Sequence, residues 1–225
     1  MNKKNTYILI SVLILSLVVT FVDAVIKPNY FIKIPIKVIF FLIIPLSYFF
    51  IYKEEFKEFK SLFKFNKSQL LKSILLGTLV YLIIIGGYFI TNNIIDYSNV
   101  TTNLTNSMSI TAKNFIFVSL YISLLNSFLE EFFFRGYSFI MLKKHTNKVI
   151  SHIFSSSMFA IYHIGMLIGS FNIPALILLL ICLFIGGCFL NYLNESSNNI
   201  YPSWLVHMFA NFAINTVGFI LFGII

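Results

Sequence analysis

The chain has 225 residues, of which 58% are hydrophobic, 18% aromatic and only 11% charged; a single domain of this composition belongs in a bilayer, and a soluble globular core is excluded. The formal net charge of +8 comes almost wholly from lysine. No basic stretch stands apart from apolar sequence, so the charge indicates contact with anionic lipid and a topology signal, and nucleic acid is excluded as a partner.

Spans of about 20 apolar residues mark membrane helices, and the sequence offers seven, at 6–26, 35–52, 70–92, 114–142, 149–170, 173–193 and 203–224. The expected fold class is therefore all-α: a polytopic membrane protein, a bundle of about seven transmembrane helices forming one continuous membrane domain. The first span follows Lys3 and Lys4. "VDA" at 22–24 imitates a signal-peptidase site, but spanning sequence continues beyond it, so an uncleaved helix is expected, with Asp23 awkward inside it.

Between the second and third spans, "KEEFKEFKSLFKFNKSQ" at 53–69 places Phe56, Phe59 and Phe63 at helical spacing among five lysines and three glutamates. The pattern predicts a basic amphipathic helix in the cytoplasmic membrane interface; a solvated cytoplasmic loop is the plainer alternative. Basic residues crowd 53–72 and 143–148 and are missing from 92–112 and 171–174, which places the N-terminus in the cytoplasm and the C-terminus outside. Lys27, Lys33 and Lys37 run against this rule, because they fall in the first connection, on the outer side. The stretch 92–112, rich in Asn, Ser and Thr, is expected to be a polar external loop. Residues 1–112 thus form N-terminal membrane helices to which no functional role attaches, and 113–225 holds the candidate core. Cys182 and Cys188 share one apolar segment on different faces, as packing residues do.

From residue 114 onward, the ionisable side chains inside predicted spans are Glu130, Glu131, Arg135, His152, His163 and His207, apart from Tyr and Cys. In a bilayer such groups are costly and need partners. Helical geometry sorts them. Glu131 and Arg135 are spaced i,i+4 with the acid first, the favourable order for an ion pair, whereas Glu130 projects about 100° away and stays free. Phe159 and His163 share a face at the same interval, and His207, Asn211 and Asn215 form a polar stripe. At about 1.5 Å per residue, Glu130 lies roughly 18 Å in from Met141–Leu142 but His207 only about 6 Å in from Ser203. Straight helices would hold the two apart. His145 and His152 stand outside these patterns and take the structural role of most histidines in apolar helices.

EExxxR (Glu130, Glu131, Arg135), FxxxH (Phe159, His163) and HxxxN (His207, Asn211), in that order over residues 114–215, resemble the CPBP family of intramembrane endopeptidases, also called Abi. The family includes CAAX proteases that trim prenylated proteins and bacterial members tied to bacteriocin self-immunity and peptide processing. The resemblance implies that Glu130, helped by His163, activates water as general base. His207 and Asn211 would stabilise the oxyanion, with Glu131, Arg135 and Phe159 in support. Peptide hydrolysis needs a base near neutrality, and an apolar cavity disfavours a carboxylate's charged form.

Two forms of the chemistry are compatible with these residues. Glu130, His163 and His207 with water match a catalytic Zn2+ arrangement, which would make a metalloprotease; alternatively Glu and His activate water without a metal. HExxH and GxGD are missing, and "GYSF" at 136–139 lacks the second glycine of GxSG, which removes three other intramembrane protease schemes. Two non-proteolytic classes compete: a membrane immunity or scaffold protein that keeps the motifs but binds a partner, and a small transporter using Glu130, Glu131 and Arg135 as an ion path. The Ile-, Asn-, Lys- and Phe-rich composition points to the plasma membrane of an AT-rich bacterium. There a membrane-associated peptide is a better candidate substrate than a prenylated protein.

Overall fold

The structure, a computed structural model, describes residues 3–64, 66–195 and 197–225. Among them, seven helices are long and apolar enough to cross a membrane: Lys3–Ile26, Tyr30–Ile51, Lys67–Thr91, Phe115–His145, Lys148–Leu167, Ile173–Glu195 and Tyr201–Leu221. The described residues form no strand. The protein is an integral membrane protein with an all-α fold, as its hydropathy predicts.

The fourth span is the hub. Its stretch Glu131–Met141 is apolar on nearly all sides apart from Glu131 and Arg135, and a helix of that kind must be surrounded; every residue from Glu131 to Met141 is buried. Phe133 stacks on Phe41 of the second span at 4.4 Å, Phe134 meets Phe159 and Tyr162 of the fifth edge-on or tilted, and Phe132 stacks on Phe63. Each such ring pair adds roughly 0.5–1.5 kcal/mol beyond its buried area. The span widens into π-helical turns at Ile122–Asn126 and Glu131–Met141, a local form that recurs at functional sites. Neighbouring side chains donate to carbonyls along this helix: Trp204 Nε1 to Leu124 O at 3.1 Å, Asn215 Nδ2 to Ser119 O at 3.1 Å and Ser155 Oγ to Phe134 O at 2.7 Å.

The second span starts at Tyr30, capped by the Asn29 side chain, and not near residue 35. Lys33 and Lys37 are therefore inside it, both buried. Lys33 Nζ meets Asp23 Oδ1 of the first span at 2.9 Å, which accounts for the awkward acid and for Lys33, one of the three lysines that ran against the charge rule. The first and fifth spans approach closely at Gly165, where an added Cβ would lie 2.6 Å from the Thr20 carbonyl oxygen.

At the lysine-rich end, the segment after the second span is not a helix running through 53–69. A short helix covers Phe56–Ser61, and Lys67–Gln69 already belong to the third span. Its aromatic row packs on the protein, Phe59 and Phe63 both reaching Phe132. Buried Glu55 ties this segment to the ends of the first and fourth spans, accepting from Lys4 at 2.6 Å and Lys144 at 2.8 Å and lying 3.1 Å from His145. Burial raises the Glu55 carboxyl, but the lysine hydrogen bonds outweigh it and hold the group below the usual carboxylate range. At the other end, the expected polar loop contains a helix, Ser98–Met108. Cys182 and Cys188 are free thiols.

Candidate active site

The mismatch in depth disappears once the helices are placed side by side. Gly136 lacks a side chain where Leu62 and Ile200 press in, with Ile200 Cγ2 3.4 Å from the position a Cβ would take, so the seventh span starts level with Gly136. Glu130 is six residues inward from Gly136 and His207 seven inward from Ile200, which is about 9 and 10.5 Å. The fourth span projects past this level to His145, and counting from its end overstated the depth of Glu130.

Glu130 and His207 do meet, with Glu130 Oε2 3.7 Å from His207 Nε2. Glu130 is not the free carboxylate that helical sorting predicted. Its Oε1 accepts from Asn126 Nδ2 at 2.6 Å and from the Tyr162 hydroxyl at 2.7 Å, and the Lys37 ammonium stands 3.6 Å away. Glu130 thus sits in a hydrogen-bonded cluster and not in an apolar pocket. Oε2 is left facing His207.

Glu131 and Arg135 form the expected i,i+4 ion pair, Nη1 to Oε1 at 3.4 Å, but the same oxygen also accepts from His207 Nδ1 at 2.8 Å, a partner that spacing did not indicate. The Arg135 guanidinium also lies over the Phe159 ring, 4.0 Å from its centroid, a cation–π contact strengthened by burial. Phe159 also touches His163 at 4.7 Å and His207 at 5.7 Å between ring centres. The apolar member of the three motifs is thus the piece that joins them.

The hydrogen bonds set the state of each histidine. A carbonyl oxygen only accepts, so the 2.7 Å contact from His163 Nδ1 to Phe159 O puts the hydrogen on Nδ1 and leaves the Nε2 lone pair available. For His207 the carboxylate of Glu131 does the same, turning Nε2 towards Glu130. Asn211 donates one amide hydrogen to Ile122 O at 3.2 Å, which leaves its second N–H for another acceptor. His145 pairs with Glu55, and His152 Nε2 lies 3.6 Å from Glu195, both at the lysine-rich end and away from this cluster.

Motif spacing picked out Glu130, Glu131, Arg135, Phe159, His163, His207 and Asn211; the structure links the first six through mutual contacts, and Asn211 follows His207 by one helical turn and donates to Ile122 O. Spacing missed Lys37, Tyr162 and Asn126. Lys33 and Lys37 are spaced i,i+4 inside apolar sequence, and the cost that drew notice to Glu130 applies equally to them.

Among the described residues, no three His, Cys, Asp or Glu side chains are gathered as metal ligands would be. Oε1 of Glu130 is occupied by two donors, and a lysine ammonium stands beside it. As arranged, the donor set does not fit a resident cation.

Residues 112–213 match the family model of the type II CAAX prenyl endopeptidase Rce1-like proteins. Comparisons with curated proteins and with solved structures gave no match. The family match and the three motifs cover the same stretch, which is thus similar to the Rce1-like membrane endopeptidases. The match supports a membrane-embedded hydrolase of the protease type.

Proposed function

We propose that the protein is an intramembrane endopeptidase that hydrolyses a peptide bond of a membrane-associated peptide or protein by water activation at Glu130. One observation carries the proposal: Glu130 Oε2 and His207 Nε2 face each other at 3.7 Å within a buried cluster, and Glu131 fixes the histidine's orientation. A water at Oε2 gives one proton to that oxygen, while its other O–H donates a hydrogen bond to the available Nε2 of His163 and is kept by the attacking oxygen. The water oxygen bonds to the scissile carbonyl carbon. His207, receiving the proton from Glu130, presents Nε2–H to the oxyanion together with the second N–H of Asn211. The proton ends on the leaving amine as the C–N bond breaks. No step of this scheme runs through a metal, and activity is expected to survive dialysis against chelator; loss restored by Zn2+ would require the metal-dependent form.

The lysine-rich end is proposed to face the cytoplasm, which puts the cluster about two helical turns below that surface. The favoured substrate is a bacterial membrane peptide, with bacteriocin self-immunity or peptide processing as the setting. Two quenched fluorescent reporters test this in proteoliposomes: a farnesylated peptide ending in CAAX, and the same sequence held by an acyl chain without the prenyl group. Wild-type protein should cleave the acylated reporter, and Glu130→Gln and His163→Ala should each abolish cleavage. Cleavage of the farnesylated form alone would reassign the substrate. Peptide termini from cells expressing wild-type or Glu130→Gln protein should differ by mass spectrometry. No cleavage, with cellular phenotype retained in both variants, would indicate a binding or scaffold protein; flux of a solute without new termini would indicate a transporter.

A further inference from the structure

Lys37 reaches the cluster from a span outside the matched family region, and its bonds form a pattern. Its Nζ donates to the Tyr162 hydroxyl at 2.5 Å and to Asn126 Oδ1 at 2.9 Å. Those same two residues then donate to one oxygen, Glu130 Oε1: Tyr162 through its O–H and Asn126 through Nδ2. An ammonium has three donors and no acceptor, so it settles two choices at once. It takes the lone pair of the tyrosine oxygen, which leaves the hydroxyl hydrogen for Glu130. It also takes the carbonyl side of the Asn126 amide, which turns the NH2 side to Glu130.

We infer that Lys37 is a positioning residue for the proposed hydrolysis: through Tyr162 and Asn126 it saturates Glu130 Oε1 and holds Oε2 towards the water and His207. The inference rests on the protease reading. It also supplies the charge that the motif residues lack. Glu130 and Glu131 are two buried carboxylates against one buried guanidinium, and ions out of water each cost several kcal/mol unless paired. Lys37, 4% exposed, completes the balance. The aromatic wall confines its head, which lies 5.1 Å from the Tyr162 ring centre, while Phe41 one turn along the same span packs edge-on to that ring at 5.2 Å.

The test uses whichever of the two reporters the wild-type protein cleaves, in proteoliposomes, with melting temperatures recorded in non-ionic detergent. Lys37→Met should lower kcat on the order of 10–100-fold with KM within about twofold, because the lost effect is on the reacting group and not on substrate binding. Tyr162→Phe, which deletes only the hydroxyl, should lower kcat in the same way. The double variant should be no worse than Lys37→Met alone, since the lysine acts through the hydroxyl. Lys37→Arg, still a donor-only cation, should recover part of the loss. Unchanged kcat in a folded Lys37→Met, losses that multiply in the double variant, or a rise in KM with kcat intact would each overturn the inference while leaving the protease reading in place. If Lys37→Met does not fold, an unchanged kcat in Tyr162→Phe overturns it by itself. Wild-type protein that cleaves neither reporter removes the protease reading, and this inference with it.

Discussion

Glu131 Oε1 lies 2.8 Å from His207 Nδ1, and this bond crosses from the first of the three motifs to the third. A carboxylate behind a histidine fixes which ring nitrogen carries the hydrogen and which way the ring faces. Glu131→Gln should therefore lower kcat on the order of 10–100-fold with KM little changed. Steady-state cleavage of the reporter checks this, and full activity in Glu131→Gln would show that His207 needs no such hold.

Glu130 is the group on which the proposed chemistry turns. Glu130→Gln keeps the shape and can still accept from Tyr162, but it cannot take a proton, and a loss of roughly 10²–10⁴-fold is expected. His163→Ala should lose somewhat less, because its Nε2 assists the water without receiving the reacting proton. Equal expression and melting temperature must accompany both losses; an active Glu130→Gln protein would remove Glu130 from the role of base.

Asp23 and Lys33 form a pair between the first and second spans, 3% exposed each. Removing one partner leaves a buried charge alone, at a cost of about 3–5 kcal/mol, whereas replacing both is far milder. Melting in detergent should rank Asp23→Asn and Lys33→Met each below the double variant. Additive losses in the double variant would mean that the two charges do not stabilise each other.

Glu55 predicts a pH dependence. Its folded-state carboxyl is held below the usual range by Lys144 and Lys4 against the opposing effect of burial. The stabilisation it gives is thus present above the unfolded value of about 4.3 and is lost as pH falls through the lower folded value. Wild-type protein should melt higher than Glu55→Gln at pH 7, by the equivalent of about 1–3 kcal/mol for hydrogen bonds to a charged group, and the gap should close on acidification below about 4.3. A gap independent of pH would mean that Glu55 acts by shape alone.

The membrane class, the seven spans and three spaced motifs were legible in the sequence because they depend on local quantities: length of apolar runs, helical period, and the cost of charge in lipid. The order Glu130–Glu131–Arg135, Phe159–His163, His207–Asn211 was enough to name the candidates. Which of them touch was decided only by packing. Helical spacing paired Glu131 with Arg135, and that pair forms, but a residue on the seventh span shares the same oxygen and Arg135 also meets the Phe159 ring, neither of which spacing indicates. Spacing left Glu130 free, but its oxygen is taken by Asn126 on its own helix and Tyr162 on the fifth span. The start of the second span, which turns Lys33 and Lys37 from loop residues into buried partners, is set by the Asn29 cap and by acids on other helices. A buried charge announces in sequence that it must have a partner; only the tertiary structure, by bringing residues about ninety positions apart into contact, says which one.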